Sequence, residues 1–213
     1  MTTTYWQAWH EPYDQPGSYL ARRLAVVQSH LRAVLDSAPP GPVRVVSLCA
    51  GEGRDLLGVL ADHPRRDDVV ARLVEKDAGN AEVARASAAE AGLVGVDVVC
   101  GDASSTDSFV GAVPADLVLL CGIFGNIVDA DIEHTVAVLR EFCAPGATVV
   151  WTRHRKEPDL TPTIRQWFRE RNFEEVAFEA PEDVLFSVGV ERFVGEPAPL
   201  RAGRRLFEFV AVD

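Results

Sequence analysis

Three carboxylates stand where apolar runs of the chain break off. Glu52 lies inside Ala50-Gly51-Glu52-Gly53, Glu75 closes Ala71-Arg-Leu-Val-Glu75, and Asp102 follows Val96-Asp-Val-Val-Cys-Gly101. Glycines permit positive φ and let a ligand lie against bare main chain. An acid about 20 residues beyond such a turn can accept hydrogen bonds from two neighbouring ribose hydroxyls, and Glu75 stands 24 positions after Gly51. Asp102 is placed to accept from an exocyclic amine of a base. Leu56 occupies the third small position of a G-x-G-x-x-G turn, and Glu52 and Asp55 flank the helix start. Two carboxylates there disfavour a diphosphate and suit a nucleoside whose other end carries positive charge and an amino-acid group.

These residues need a scaffold, and the chain alternates in a way that supplies one. Strand-like runs span 43–48, 69–74, 96–100, 116–121 and 147–151, each short and mostly apolar. Helical patterns separate them near 55–61, 78–91, 131–142 and 161–171, and an amphipathic stripe of Leu20, Leu24, Val27, Leu31 and Leu35 precedes the first strand. Such alternation predicts an α/β fold with a doubly wound, mostly parallel sheet and helices on both faces. Beyond Phe173 the segments 173–178, 184–194 and 205–210 look extended, which predicts a closing hairpin region. The organisation expected is one domain overall, with residues 1–41 as an N-terminal cap segment and helix, and 42–213 as the ligand-binding core.

Composition removes several function classes. The net charge of −11 opposes phosphate-backbone binding as the main task, so no nucleic-acid partner is expected. No apolar stretch approaches the ~20 residues of a membrane span, so no membrane partner is expected either. The start Met1-Thr-Thr-Thr-Tyr-Trp lacks a basic region followed by an apolar block, and the four cysteines form no CxxC or Cys/His cluster. A cytoplasmic location with reduced thiols and no metal site is the expectation.

Leu48-Cys-Ala-Gly-Glu-Gly-Arg-Asp55, Val74-Glu-Lys-Asp-Ala78, Gly101-Asp-Ala103 and Ala115-Asp116 through Gly122 resemble the motifs of class I S-adenosylmethionine-dependent methyltransferases. The resemblance spans about residues 42–151 and weakens beyond. It implies a seven-stranded Rossmann-like sheet whose last strand is antiparallel, with 205–210 as the natural candidate for that strand. It also implies S-adenosylmethionine as cofactor, with S-adenosylhomocysteine as product. Ala50, Gly51 and Gly53 would approach the methionine part, Glu75 would hold the ribose, and Asp102 with Ala103 would hold the adenine. Glu52, Lys76, Cys121 and Gly122 complete the cofactor-binding candidates. Cys49 stands where many relatives carry Gly or Asp.

The implied activity is methyl transfer to a nitrogen or oxygen atom of a small-molecule acceptor, by a monomer or homodimer. Where such an acceptor must lose a proton, a histidine is the commonest base. His154, directly after the fifth strand in Trp151-Thr-Arg-His154, and His10, in the aromatic and acidic stretch Trp6 to Asp14, are the catalytic candidates. Tyr13, Phe124, Asn126 and Arg153 are candidates to line the acceptor pocket. The stretch Arg153-His-Arg-Lys156 could bind an acidic acceptor. His63 and His134 are expected on solvated helix faces. Two alternatives stay open: a catalytically silent S-adenosylmethionine-binding protein, and an NAD(P)-dependent oxidoreductase.

Overall fold

A computed structural model of the chain describes residues 11–210. Strands β1 (Val43–Leu48), β2 (Val69–Glu75), β3 (Val96–Cys100), β4 (Ala115–Leu120), β5 (Cys143–His154), β6 (Phe173–Glu179) and β7 (Phe186–Phe193) form one sheet in the order β3-β2-β1-β4-β5-β7-β6. The first five run parallel, with Leu48 beside Val74, Glu75 beside Cys100 and Leu120 beside Trp151. Their carboxyl ends therefore share one edge. The chain order reverses between β1 and β4, and the crevice at such a switch point is where open α/β sheets bind ligands.

The faces of the sheet sort by residue parity. Val45, Leu117, Leu119 and Val150 join a core with α1 (Tyr19–Ser37), α2 (Arg54–Leu60) and α3 (Ala78–Glu90). Val46, Leu48, Val118, Leu120, Val149 and Trp151 join the opposite core with α4 (Asp129–Val138) and α5 (Thr161–Glu170). In α1, Val27, Leu31 and Leu35 are fully buried, and Ser18 caps the helix by accepting the Ala21 N–H at 3.1 Å. Each such buried side chain contributes about 1.5–3 kcal/mol, which fixes α1 across the glycine turn it must serve.

The strands and helices read from periodicity are present, mostly within one or two residues of their expected ends. The fifth strand is longer than expected and begins at Cys143. The antiparallel strand is β7, paired with β5 through Trp151↔Gly189 and with β6 as a hairpin. A Cβ at Gly189 would lie 2.1 Å from Trp151 Cε2, so the indole lies flat on bare backbone.

The expectation for 205–210 is corrected: this segment is not a sheet strand. It makes only isolated bridges, Arg205 to Ser105 and Phe209 to Ile127. Leu206 and Phe207 are adjacent and both buried in the α4/α5-side core, a pattern that suits a strap packed over loops rather than a two-faced strand. His63 is also corrected. It lies after α2 with only 2% exposure, and its Nε2 is 3.2 Å from Asp36 Oδ1. His134 is exposed on α4 as expected.

Candidate active site

The turn after β1 bends through three positive φ values: 51° at Cys49, 57° at Gly51 and 73° at Gly53. Such a backbone favours Gly, Asn or Asp, and Cys49 adopts it at a cost of about 1–2 kcal/mol. Gly53 is further constrained, because a Cβ there would stand 2.7 Å from Leu57 Cδ1. The turn is pinned to β2. Ala50 N–H donates to the Val74 carbonyl at 3.0 Å, and Gly51 N–H donates to Glu75 Oε2 at 2.8 Å. Glu75 Oε1 accepts the Asp77 N–H, also at 2.8 Å, and the side chain is only 8% exposed. Glu75 thus braces the turn and still keeps one lone-pair direction on each oxygen.

Glu52 does not face the turn unpaired. Arg54 Nε donates to its Oε2 at 2.5 Å, and Arg54 Nη1 donates to Asp14 Oδ1 at 2.6 Å. These bonds, the one to Asp14 foremost, raise the Arg54 pKa. Tyr13 lies beneath, with the Arg54 guanidinium 5.5 Å and the Arg23 guanidinium 6.0 Å from its ring centre. Arg23 is 7% exposed and donates to the Tyr13 hydroxyl at 2.6 Å. Burial raises the phenol's pKa, with Arg23 opposing it. Tyr13, Arg23, Cys49, Ala50, Glu52, Arg54, Asp55 and Cys121 enclose about 30 Å³. Tyr13, expected at the acceptor, instead covers the glycine turn.

At the third strand, Asp102 Oδ1 accepts both the Ser104 N–H at 2.9 Å and the Ser104 hydroxyl at 2.7 Å. Burial pushes the Asp102 pKa up, but Ser104, Lys76 and Arg205 outweigh it and leave the carboxyl below its usual range. Its Oδ2 has Arg205 at 3.9 Å. Ala103 is buried in the core, so only its backbone can meet a ligand, and Lys76 is exposed.

A second cavity of about 770 Å³ opens beyond β4 and β5 and includes Tyr19, Arg23, Gly122, Asn126, Arg153, His154, Lys156 and Leu185 in its walls. The β4–α4 loop is held in place from both sides. Gly122 N–H donates to the Thr152 hydroxyl at 2.9 Å, and Asn126 Nδ2 donates to the Gly122 carbonyl at 2.7 Å. Asn126, Arg153, His154 and Gly122 are thereby brought together. Phe124 is a correction: its ring is fully buried, 6.0 Å from Trp151, and only its carbonyl reaches the site, accepting from Arg153 Nη1. Arg165 turns away to Glu175 and lies 4.4 Å over Phe178.

His154 lines the cavity, and burial, then Arg153 and Lys156, lower its pKa, so the imidazole is neutral at physiological pH. Its Nδ1 accepts the Lys156 N–H at 3.3 Å. That bond places the neutral ring's proton on Nε2. His154 can take up a proton only by giving up the Lys156 bond. His10 lies outside the described residues. Among the described residues no cluster of three or more His, Cys, Asp or Glu could hold a metal, and no helix is long and apolar enough to cross a membrane.

Two site features were missed from sequence. Arg23 borders both cavities, yet it falls beside the apolar stripe of α1 with no motif to mark it. The C-terminal strap braces both ligand loops: Leu206 N–H donates to the Ser104 carbonyl at 2.7 Å, and Val210 N–H to the Asn126 carbonyl at 2.9 Å.

A family model described as "Putative methyltransferase" matches residues 21–173, well over half of the chain. The chain belongs to this methyltransferase family. Among solved structures, a "possible exported protein" from Bordetella parapertussis superposes with a TM-score of 0.66 at 18% identity, covering 90% of this chain and 78% of that one. Magnesium protoporphyrin IX methyltransferase from Synechocystis PCC 6803, with S-adenosylmethionine bound, gives 0.66 at 9% identity, covering 90% and 92%. An RNA methyltransferase from Salinibacter ruber, in complex with S-adenosylhomocysteine, gives 0.54 at 19% identity, covering 83% and 96%. At these identities the likeness shows the fold alone. No curated protein matches the chain.

Proposed function

We propose that this methyltransferase takes its methyl group from S-adenosylmethionine and passes it to a nitrogen or oxygen of a small molecule held in the larger cavity. The observation that carries the reading is the shared wall: Arg23 borders both that cavity and the space at the glycine turn. A cofactor on the turn and an acceptor in the cavity would meet there.

The residues fit the cofactor at its nucleoside end. Glu75 is a buried carboxylate with one lone-pair direction left on each oxygen, which suits a pair of ribose hydroxyls. Asp102 Oδ2, with only a distant Arg205 contact, can accept from an adenine amine. At the methionine end about 30 Å³ is open, roughly the room of one water. Tyr13 and Arg54 must therefore move aside for that end to enter.

When bound, S-adenosylmethionine supplies an electrophilic sulfonium methyl, so the protein's task is chiefly to hold the acceptor atom in line at about 3–3.5 Å. Asn126 and Arg153 orient the acceptor. His154 donates through Nε2 to an acceptor oxygen, or takes its proton once the Lys156 bond is released. A volume of about 770 Å³ lies in the range of small-molecule sites, and a net charge of −11 opposes nucleic acid.

The test is transfer of labelled methyl from S-adenosylmethionine to pooled small phenols, amines and carboxylic acids, with RNA and unfolded protein in parallel. Label in the small-molecule fraction supports the reading. Label in RNA or protein alone would overturn it, and cofactor binding without any transfer would favour the silent binder.

A further inference from the structure

Most arginines of the described residues are ion-paired, among them Arg22 with Asp183, Arg32 with Asp62, Arg54 with Asp14 and Glu52, Arg165 with Glu175, and Arg192 with Glu174. Arg153, which lines the larger cavity, is among those without an ion pair. Its side chain is half-buried, its Nη1 donates to the Phe124 carbonyl, and its Nε is buried without a partner. Among the described residues no carboxylate lies within ion-pair distance of it. Asp129 and Asp159 act on it only from further off, and Asp159 is already engaged, accepting the Thr161 N–H at 2.9 Å and its hydroxyl at 2.8 Å.

Among the described residues the rest of the wall adds no unpaired negative charge. Lys156 is exposed at the rim, Arg23 stands at the inner end, and His154 is neutral. Among the described residues the one acidic side chain lining the cavity, Asp183, is held by two bonds from Arg22 at 2.7 and 3.0 Å. A cationic wall is thus kept inside a chain of net charge −11. Leaving a part-buried guanidinium without a counter-charge is costly, and burial does pull the Arg153 pKa down. A planar fork of donors in that position matches a carboxylate or phosphate, which it can grip at two points.

We infer that the acceptor of this methyltransferase carries an anionic group, a carboxylate or a phosphate monoester, and that Arg153 pairs with it while Lys156 draws it in. The inference rests on the reading of the larger cavity as the acceptor site. It also explains why the cavity is not lined by apolar side chains alone: the charge fixes which end of the acceptor points away from the methyl donor.

The experiment uses matched probes on the full chain saturated with S-adenosylhomocysteine. 4-Hydroxybenzoate, 4-hydroxyphenyl phosphate and 4-hydroxybenzamide share a ring and differ in charge, and 4-aminobutyrate with its amide repeats the comparison without a ring. Calorimetry should show the anionic members binding at least tenfold more tightly than their amides. Arg153→Gln should erase that preference, Arg153→Lys should restore part of it, and both should leave S-adenosylhomocysteine affinity unchanged. The carboxylate and phosphate arms separate the two sources of charge. Equal binding of acid and amide, a preference that survives Arg153→Gln, or no binding of any anionic member would overturn the inference. Failure to bind S-adenosylhomocysteine at all would instead remove the cofactor reading, and the inference with it.

Discussion

Glu75 holds Gly51: its Oε2 accepts the glycine N–H at 2.8 Å across the ends of two neighbouring strands. The acid that the cofactor reading assigns to ribose is therefore also the clasp of the turn, and the two roles share one carboxylate.

Glu75→Ala should accordingly fail twice. The Gly51 and Asp77 N–H groups lose their acceptor, at a cost of about 2–4 kcal/mol in unfolding free energy. Affinity for S-adenosylhomocysteine should fall by well over tenfold. Glu75→Gln, which keeps one acceptor oxygen, should fall between the two. Unfolding curves and titrations on the same samples measure both effects, and unchanged affinity in the alanine variant would refute the ribose assignment.

The Asp14–Arg54 ion pair closes the segment carrying Tyr13 over the glycine turn. Asp14→Ala should leave the melting temperature nearly unchanged, since an exposed pair contributes little. It should speed the association of S-adenosylhomocysteine severalfold, because the cover opens more readily. Stopped-flow binding measures this, and an unchanged or slower rate would show that the pair does not gate the turn.

Glu191 gives a pH signature independent of the site. It is 1% exposed beside Trp151, whose Nε1 donates to its Oε1 at 3.3 Å, and burial raises its pKa to about 7. The folded state binds this proton more tightly than the unfolded chain does. Stability from this group is present in full below the unfolded carboxyl range, falls as pH rises through it, and is lost above about 7. The contribution at stake is about 3–4 kcal/mol. Glu191→Gln, which keeps a partner for Trp151, should flatten the fall in melting temperature between pH 5 and about 7.5. A slope identical to that of the parent protein would contradict the assignment.

The parts of the fold that could be read from sequence are those set by local pattern. Val43–Leu48 and Val96–Cys100 are short runs rich in valine bounded by turn residues, so their ends and the acids beyond them follow from the chain alone. The segment 205–210 misled because Leu206, Phe207 and Phe209 are as apolar in a strap over loops as in a strand, and only tertiary partners decide between them. Phe124 was placed correctly on its loop, yet which way its ring turns depends on Trp151, 27 positions away. The same limit applies to His154. Its position at a strand end was legible, but its tautomer is set by a backbone bond that no spacing encodes. Arg23 and Arg153 acquire their meaning from what does, or does not, stand opposite them.

The most direct test of the central claim is calorimetric titration of the full chain with S-adenosylmethionine, S-adenosylhomocysteine and NAD in parallel. Micromolar binding of the first two, with none of NAD, is the predicted result. Binding of NAD alone would contradict the account, because the Glu75 and Asp102 positions would then serve a dinucleotide and the methyl-transfer reading of both cavities would fall.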